Sequence, residues 1–166
     1  MSVLTPTTIS DAAASLAAHP DAQILSGGTD FMVEVNFNHR KPTTVLSLGA
    51  IDALREWQEN GTSVFIGATV TWQDIEKGPI AGLLPALAEA ARTVGSPQIR
   101  AAGTIGGNLG TCSPAGDGLP VLAALDSSVH LSSPRGERIV PFGDFMVGPK
   151  RNARAADEII SGVTVP

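Results

Sequence analysis

Gly103-Thr104-Ile105-Gly106-Gly107-Asn108-Leu109-Gly110-Thr111-Cys112-Ser113-Pro114-Ala115-Gly116-Asp117-Gly118 is the stretch on which the reading of this chain turns. So many glycines are entropically expensive to order, and a plain connection gains nothing from them. A second stretch, Ser26-Gly27-Gly28-Thr29-Asp30, has the same character, and its two glycines permit φ > 0. Each follows a predicted extended segment and places amides where a Cβ would otherwise block a ligand. Such amide concavities suit anionic phosphate oxygens. Neither stretch matches G-x-x-x-x-G-K-[ST], and the spacing within Gly106 to Gly110 breaks G-x-G-x-x-G, which disfavours a Walker nucleotidase and a Rossmann dinucleotide site.

Two separated loops without a lysine suit a pyrophosphate held by backbone alone. Gly27, Gly28, Gly106 and Gly107 are expected to supply amides, and Thr29, Thr104 and Asn108 neutral donors. Asp30 brings a carboxylate that phosphate repels, so its side chain is expected to turn away and cap the next short helix.

Working outward, Ser10 is a candidate cap for a helix over Asp11 to Ala18, which His19-Pro20 breaks. Gln23 to Leu25, Thr43 to Ser47 and Ser63 to Gly67 read as strands, with Asp52 to Trp57 connecting the last two. Thr71 is a plausible N-cap for Trp72 to Lys77, which Gly78-Pro79 ends. Apolar residues at helical spacing predict one helix over Leu83 to Thr93, stopped at Gly95. Leu119 to Leu125 reads as a short buried helix, Ser128 to Ser132 and Glu137 to Val140 as a hairpin, and Ile159 to Val165 as a final strand. The fold class is α+β, without internal repeats.

A length of 166 residues fits one domain. Hydrophobic residues make up 43% and charged residues 16%, too apolar a balance for intrinsic disorder. A formal charge of −5 argues against a nucleic-acid partner. The apolar run Leu119 to Leu125 is far short of the ~20 residues a membrane span needs. The N-terminus has no basic segment followed by an apolar one, which points to the cytoplasm. Cys112 stands alone, so this chain cannot hold a cysteine-ligated iron–sulfur cluster; any such cluster belongs to a partner.

The pairing of Ser26-Gly27-Gly28-Thr29-Asp30 with Thr104-Ile105-Gly106-Gly107-Asn108, followed by Ser113-Pro114-Ala115-Gly116-Asp117, resembles the FAD loops of molybdenum hydroxylase flavin subunits. These are the medium subunits of carbon monoxide, xanthine and nicotine dehydrogenases, similar to the PCMH-type FAD-binding fold. The resemblance covers essentially the whole chain. It implies two small α/β subdomains with the cofactor between them, meeting near residues 50–65. It also implies that Ile24, Leu25, Ser26, Gly27, Gly28, Thr29, Asp30 and Phe31 line the first pyrophosphate loop, and Thr104, Ile105, Gly106, Gly107 and Asn108 the second. Val94 is implied near the cofactor, Asp117 as acceptor for a cofactor hydroxyl, and Ile160 against the flavin. The family continues into a C-terminal flavoprotein domain that residues 1–166 are expected to lack. Its partners are a molybdenum-cofactor large subunit and a 2Fe-2S small subunit, with NAD or a quinone as electron acceptor.

Other residues invite plainer readings. Asp117 suits a helix cap as well as a ligand contact. Cys112 reads as a small packed thiol, and His19, His39 and His130 as dispersed surface or loop histidines with no metal motif. Lys150, Arg151 and Arg154 read as a solvated loop, and Trp57 and Trp72 as core residues rather than flavin-stacking ones. No catalytic residue is nominated. The rival readings are a non-catalytic assembly module without flavin and a free-standing flavin oxidase.

Overall fold

A computed structural model describes residues 1–166. The chain opens with β1 (Ser2–Leu4), α1 (Ile9–Ala18), β2 (Gln23–Leu25), α2 (Thr29–Asn36) and β3 (Thr44–Ser47). The strands form a parallel sheet in the order β1-β3-β2, with Leu25 beside Ser47 at its carboxyl edge. Parallel strands need crossovers, and α1 and α2 provide them. α1 turns Ala12, Ala13 and Leu16 inward, so its small residues let the helix lie close to the core. The loops after β2 and β3 both leave at the carboxyl edge, where open α/β sheets characteristically bind ligands.

A 3-10 turn at Asp52–Arg55 leads into β4 (Trp57–Asn60) and β5 (Ser63–Gly67). A helical block follows: α3 (Trp72–Lys77), α4 (Ile80–Leu83), α5 (Pro85–Thr93), α6 (Pro97–Ala102), α7 (Ile105–Thr111) and α8 (Gly118–Ala124). The chain closes with β6 (Ser128–Ser133), β7 (Gly136–Pro141), α9 (Phe142–Phe145), β8 (Met146–Gly148), β9 (Arg151–Asn152) and β10 (Ile159–Val165). The larger sheet is antiparallel in the order β4-β5-β10-β6-β7. β10 takes its centre, and all but one of its residues are buried. One apolar cluster joins the two sheets and the helices, from Leu16 and Leu46 through Ile66 and Trp72 to Leu87 and Val163. The α+β expectation holds, and no helix is long and apolar enough to cross a membrane.

The structure corrects several local expectations. Thr8, not Ser10, caps α1, its side chain accepting from the Asp11 amide. The helix expected over Leu83 to Thr93 is two helices, because Pro85 cannot donate to a preceding carbonyl and Leu84 before it leaves the helical region at ψ 67°. Trp57 begins a strand rather than ending a connection. The glycine-rich stretch is largely helical: Ile105 to Thr111 form α7 despite three glycines, because tertiary contacts outweigh a propensity penalty of about 1 kcal/mol each. His130 lies half-buried on β6, its Nε2 2.7 Å from Thr164 Oγ1. Arg154 is no solvated residue either: it donates to the carbonyls of Ala155 and Glu158. Thr71 does cap α3, and with Asp74 it completes a reciprocal capping box.

Two titrating groups make the fold acid-sensitive. Burial lowers the His130 pKa from its ordinary 6.5, the nearby Glu137 carboxylate opposing only in part. The unfolded chain therefore binds that proton first, and stability is lost as pH falls below about 6.5. Glu158 is buried and takes two hydrogen bonds from Arg138, at 2.6 and 2.8 Å, and one from the Ala155 amide. The Arg138 hydrogen bonds hold its carboxyl below the usual range, outweighing the opposing effect of burial. Its contribution is present above the unfolded carboxylate pKa and disappears as pH falls through the lower folded value. Urea unfolding from pH 8 to 3 is expected to show two steps of loss, roughly below 6.5 and below 4.5, the first removed by His130→Gln. A flat profile between pH 7 and 5 in the parent chain would contradict the His130 assignment.

Candidate functional site

The loop after β2 carries an unusual set of donors. None of the consecutive amides from Ser26 to Phe31 donates to a group of the chain; the first intrahelical bond of α2 runs from Met32 N to Gly28 O at 2.9 Å. Gly28 is the N-cap, at φ 77°, and no side chain caps the helix. Asp30 is exposed in the first turn and does not perform the capping role expected of it. An uncapped helix start presents convergent N–H groups and partial positive charge, which together favour an anion. Gly27 has a different reason to be glycine: a Cβ there would run into the carbonyl of Ala102 at the end of α6.

The second motif meets the first edge to edge. Ser26 Oγ and Thr104 Oγ1 lie 2.8 Å apart, and Thr104 Oγ1 also accepts from the Gly107 amide at 3.0 Å, capping α7. A Cβ on Gly107 would sit 2.9 Å from Thr104 Oγ1 and 4.0 Å from Ser26 Cβ, which puts Gly107 at the seam of the two motifs. The amides expected to be free here are not. Ile105 N donates to Val70 O at 3.1 Å and Gly106 N to Ala68 O at 2.9 Å, and a Cβ on Gly106 would lie 2.6 Å from Ala68. Gly106 thus permits close packing of α7 on the segment after β5, while open donors are concentrated in the first loop.

The remaining nominated residues divide by burial. Ile24 and Leu25 end β2 half-buried, whereas Phe31 is buried beneath Arg40, whose guanidinium lies 4.9 Å from the ring centre. Ile105 and Ile160 point into the core; Ile160 Cδ1 would lie 3.8 Å from a Cβ on Gly110 of α7. Val94 is the C-cap of α5, and its carbonyl accepts from Arg100 at 3.3 Å. Asp117 is exposed at the head of α8 with no side-chain hydrogen bond, so it does not cap that helix. No hydrogen bond ties Val94, Asp117 or Ile160 to the two motifs.

The orphaned polar atoms point to the kind of ligand that fits. Asn108 Oδ1 is buried without a partner, its carboxamide covered by Gly116, where a Cβ would stand 2.7 Å from Nδ2. A hydroxyl-bearing ligand satisfies such an acceptor, and a diphosphate satisfies the amide row; FAD carries both. Sequence reading missed residues that share a cleft with the first loop. A cleft of about 370 Å³ is lined by Ser26 and Gly27 of the first loop, by Thr104, and by Gly49, Arg55, Thr69 and Thr71. Thr71 was legible as a cap at the head of Trp72 to Lys77, but Arg55 and Thr69 belong to no local motif. Cys112 plays no part in this site: it is fully buried, its thiol donates to the Arg151 carbonyl at 3.3 Å, and burial raises its pKa.

A family model described as the FAD binding domain in molybdopterin dehydrogenase matches residues 1–166. The nicotinate dehydrogenase FAD-subunit of Eubacterium barkeri is 40% identical, over 96% of this chain and 56% of that protein. The nicotine 6-hydroxylase medium subunit of Paenarthrobacter nicotinovorans is 37% identical, over 97% of this chain and 57% of its own length. A carbon monoxide dehydrogenase structure from Hydrogenophaga pseudoflava superposes with a TM-score of 0.96 at 30% identity, over all of this chain and 58% of the matched one. The chain thus spans a little over half the length of these relatives. With that whole-length match and a site that suits the same ligand, the chain belongs to the family of FAD-binding domains of molybdopterin dehydrogenases, and FAD is its cofactor.

Proposed function

We propose that this chain is the FAD-holding part of a molybdenum-containing hydroxylase or dehydrogenase. It relays electrons from iron–sulfur clusters of a 2Fe-2S small subunit to NAD, a quinone or another acceptor, after substrate oxidation in a molybdenum-cofactor large subunit. Residues 1–166 act as one PCMH-type domain whose two parts meet near residues 50–65. The observation that carries the reading is the row of open amides from Ser26 to Phe31, in a loop that meets the second motif where Ser26 Oγ lies 2.8 Å from Thr104 Oγ1. The relatives named as FAD or medium subunits support it.

In this role the redox chemistry is supplied by bound FAD, and the protein contributes binding and placement. Ser26 to Phe31 hold the diphosphate through backbone donors. Thr104 fixes the entry of α7, and Gly107 leaves room beside it. Asn108 and Asp117 accept hydrogen bonds from cofactor hydroxyls, and Val94 and Ile160 supply apolar packing. None of these residues needs to move a proton in this role.

Equilibrium titration of the cofactor-free protein tests the reading. FAD is expected to bind noncovalently and at least about tenfold more tightly than FMN, whose single phosphate uses less of the amide row. Mixing with the large and iron–sulfur subunits is expected to restore substrate oxidation that the chain alone lacks. Equal affinity for the two flavins, or a colourless protein that takes up neither, would favour an assembly module instead. Flavin that stays attached on denaturation would point to a free-standing oxidase.

A further inference from the structure

The cleft that Ser26 and Gly27 line contains one cation, Arg55, and one anion, Asp74. Their states differ. Asp74 Oδ2 already accepts from the Thr71 amide at 3.2 Å and the Thr71 hydroxyl at 2.7 Å, closing the capping box of α3. Arg55 is exposed and donates one bond, from Nη2 to the Gly49 carbonyl at 2.5 Å, which orients the guanidinium and leaves its other donors free. On the same cleft, Thr69 is only 8% exposed, and its Oγ1 is buried without a partner. The two residues share one frame, because the Thr69 amide donates to the Leu54 carbonyl at 2.8 Å. Thr71 and Thr104, which line the same cleft, are joined by an antiparallel bridge that ties the second motif to this frame.

We propose that Arg55 and Thr69 form the second wall of the FAD diphosphate site, Arg55 supplying the counter-charge and Thr69 Oγ1 a hydrogen bond to the ligand. This rests on the FAD reading above and adds what the amide row lacks. Backbone donors are neutral, and a diphosphate keeps its negative charge, so a pre-positioned guanidinium adds charge-assisted bonds that amides cannot. An orphaned hydroxyl lining the same cleft is costly in the free protein and is repaired when an acceptor enters.

The test is FAD titration of the full-length cofactor-free protein and its Arg55→Met, Arg55→Lys and Thr69→Val variants, at low and high ionic strength. Arg55→Met is expected to weaken FAD about tenfold at low salt and to flatten the salt dependence, with Arg55→Lys recovering part of both. Thr69→Val is expected to raise the thermal midpoint of the cofactor-free protein while weakening FAD a few-fold, a split that a purely structural residue would not produce. Wild-type affinity and salt dependence in Arg55→Met would overturn the proposal. So would FAD binding by the parent chain that is insensitive to salt, a measurement that needs no variant to fold. If the parent takes up no FAD at all, the cofactor reading itself fails; normal uptake unaffected by Arg55 removes only this second wall.

Discussion

Replacing Gly107 by valine is expected to lower FAD affinity by about 100-fold, while Cys112→Ser leaves it within about threefold. Gly107 stands where a Cβ would press on Thr104 Oγ1, the atom that caps α7 and meets Ser26 across the seam. A β-branched side chain there pushes the threonine away or fills the space beside it, and either change disturbs both motifs at once. The penalty is steric and not conformational, since Gly107 has no positive φ. Cys112 itself sits in the left-handed region at φ 50°, but a serine hydroxyl keeps the donor that its thiol offers to the Arg151 carbonyl. Circular dichroism of the cofactor-free proteins separates misfolding from lost binding. A folded Gly107→Val protein with unchanged FAD affinity would remove the seam from the cofactor site.

The two glycines of the first loop are expected to fail differently. At Gly28, alanine costs about 1–2 kcal/mol, because the backbone is left-handed but the space is ordinary, with Leu25 Cδ1 at 3.4 Å. At Gly27, alanine meets the backbone carbonyl of Ala102, which no rotamer change can move, and a cost of about 3 kcal/mol or more follows as the loop and α6 separate. Denaturant midpoints rank the two variants. FAD affinity is expected to fall further in Gly27→Ala, because separation from α6 displaces the row of open amides. The reverse order would mean that left-handed geometry, and not the approach of α6, is what the loop requires.

Local physics was sufficient for much of this molecule. Alternating and β-branched residues marked Ser63 to Gly67 and Ile159 to Val165 as strands; Thr71 marked the start of α3; paired glycines marked both motifs that meet at the seam. These signals act over a few residues, so a sequence carries them in full. The bipartite glycine pattern likewise carried the family and the cofactor, which the whole-length family match and the relatives at 40% and 37% identity bear out.

What the tertiary structure decided is which donors are free. Read as sequence, Gly106 and Gly107 are as open as Gly27 and Gly28; in the fold, Ala68 and Thr104 have taken their amides, and α7 forms through glycines that would not sustain a helix alone. Gly27 is required by the carbonyl of Ala102, 75 residues on by the numbering. Arg55 and Thr69 come onto one cleft with Ser26 and Gly27 because the Leu54 carbonyl receives the Thr69 amide, a contact with no periodicity to announce it. Hydrogen-bond satisfaction is a property of atoms brought within about 3 Å of each other, and chain neighbours do not determine it. The sequence by itself therefore determined the ligand class and the two motifs that meet it, while the packing of α6 and α7 against the first loop decided which of their atoms remain available to bind.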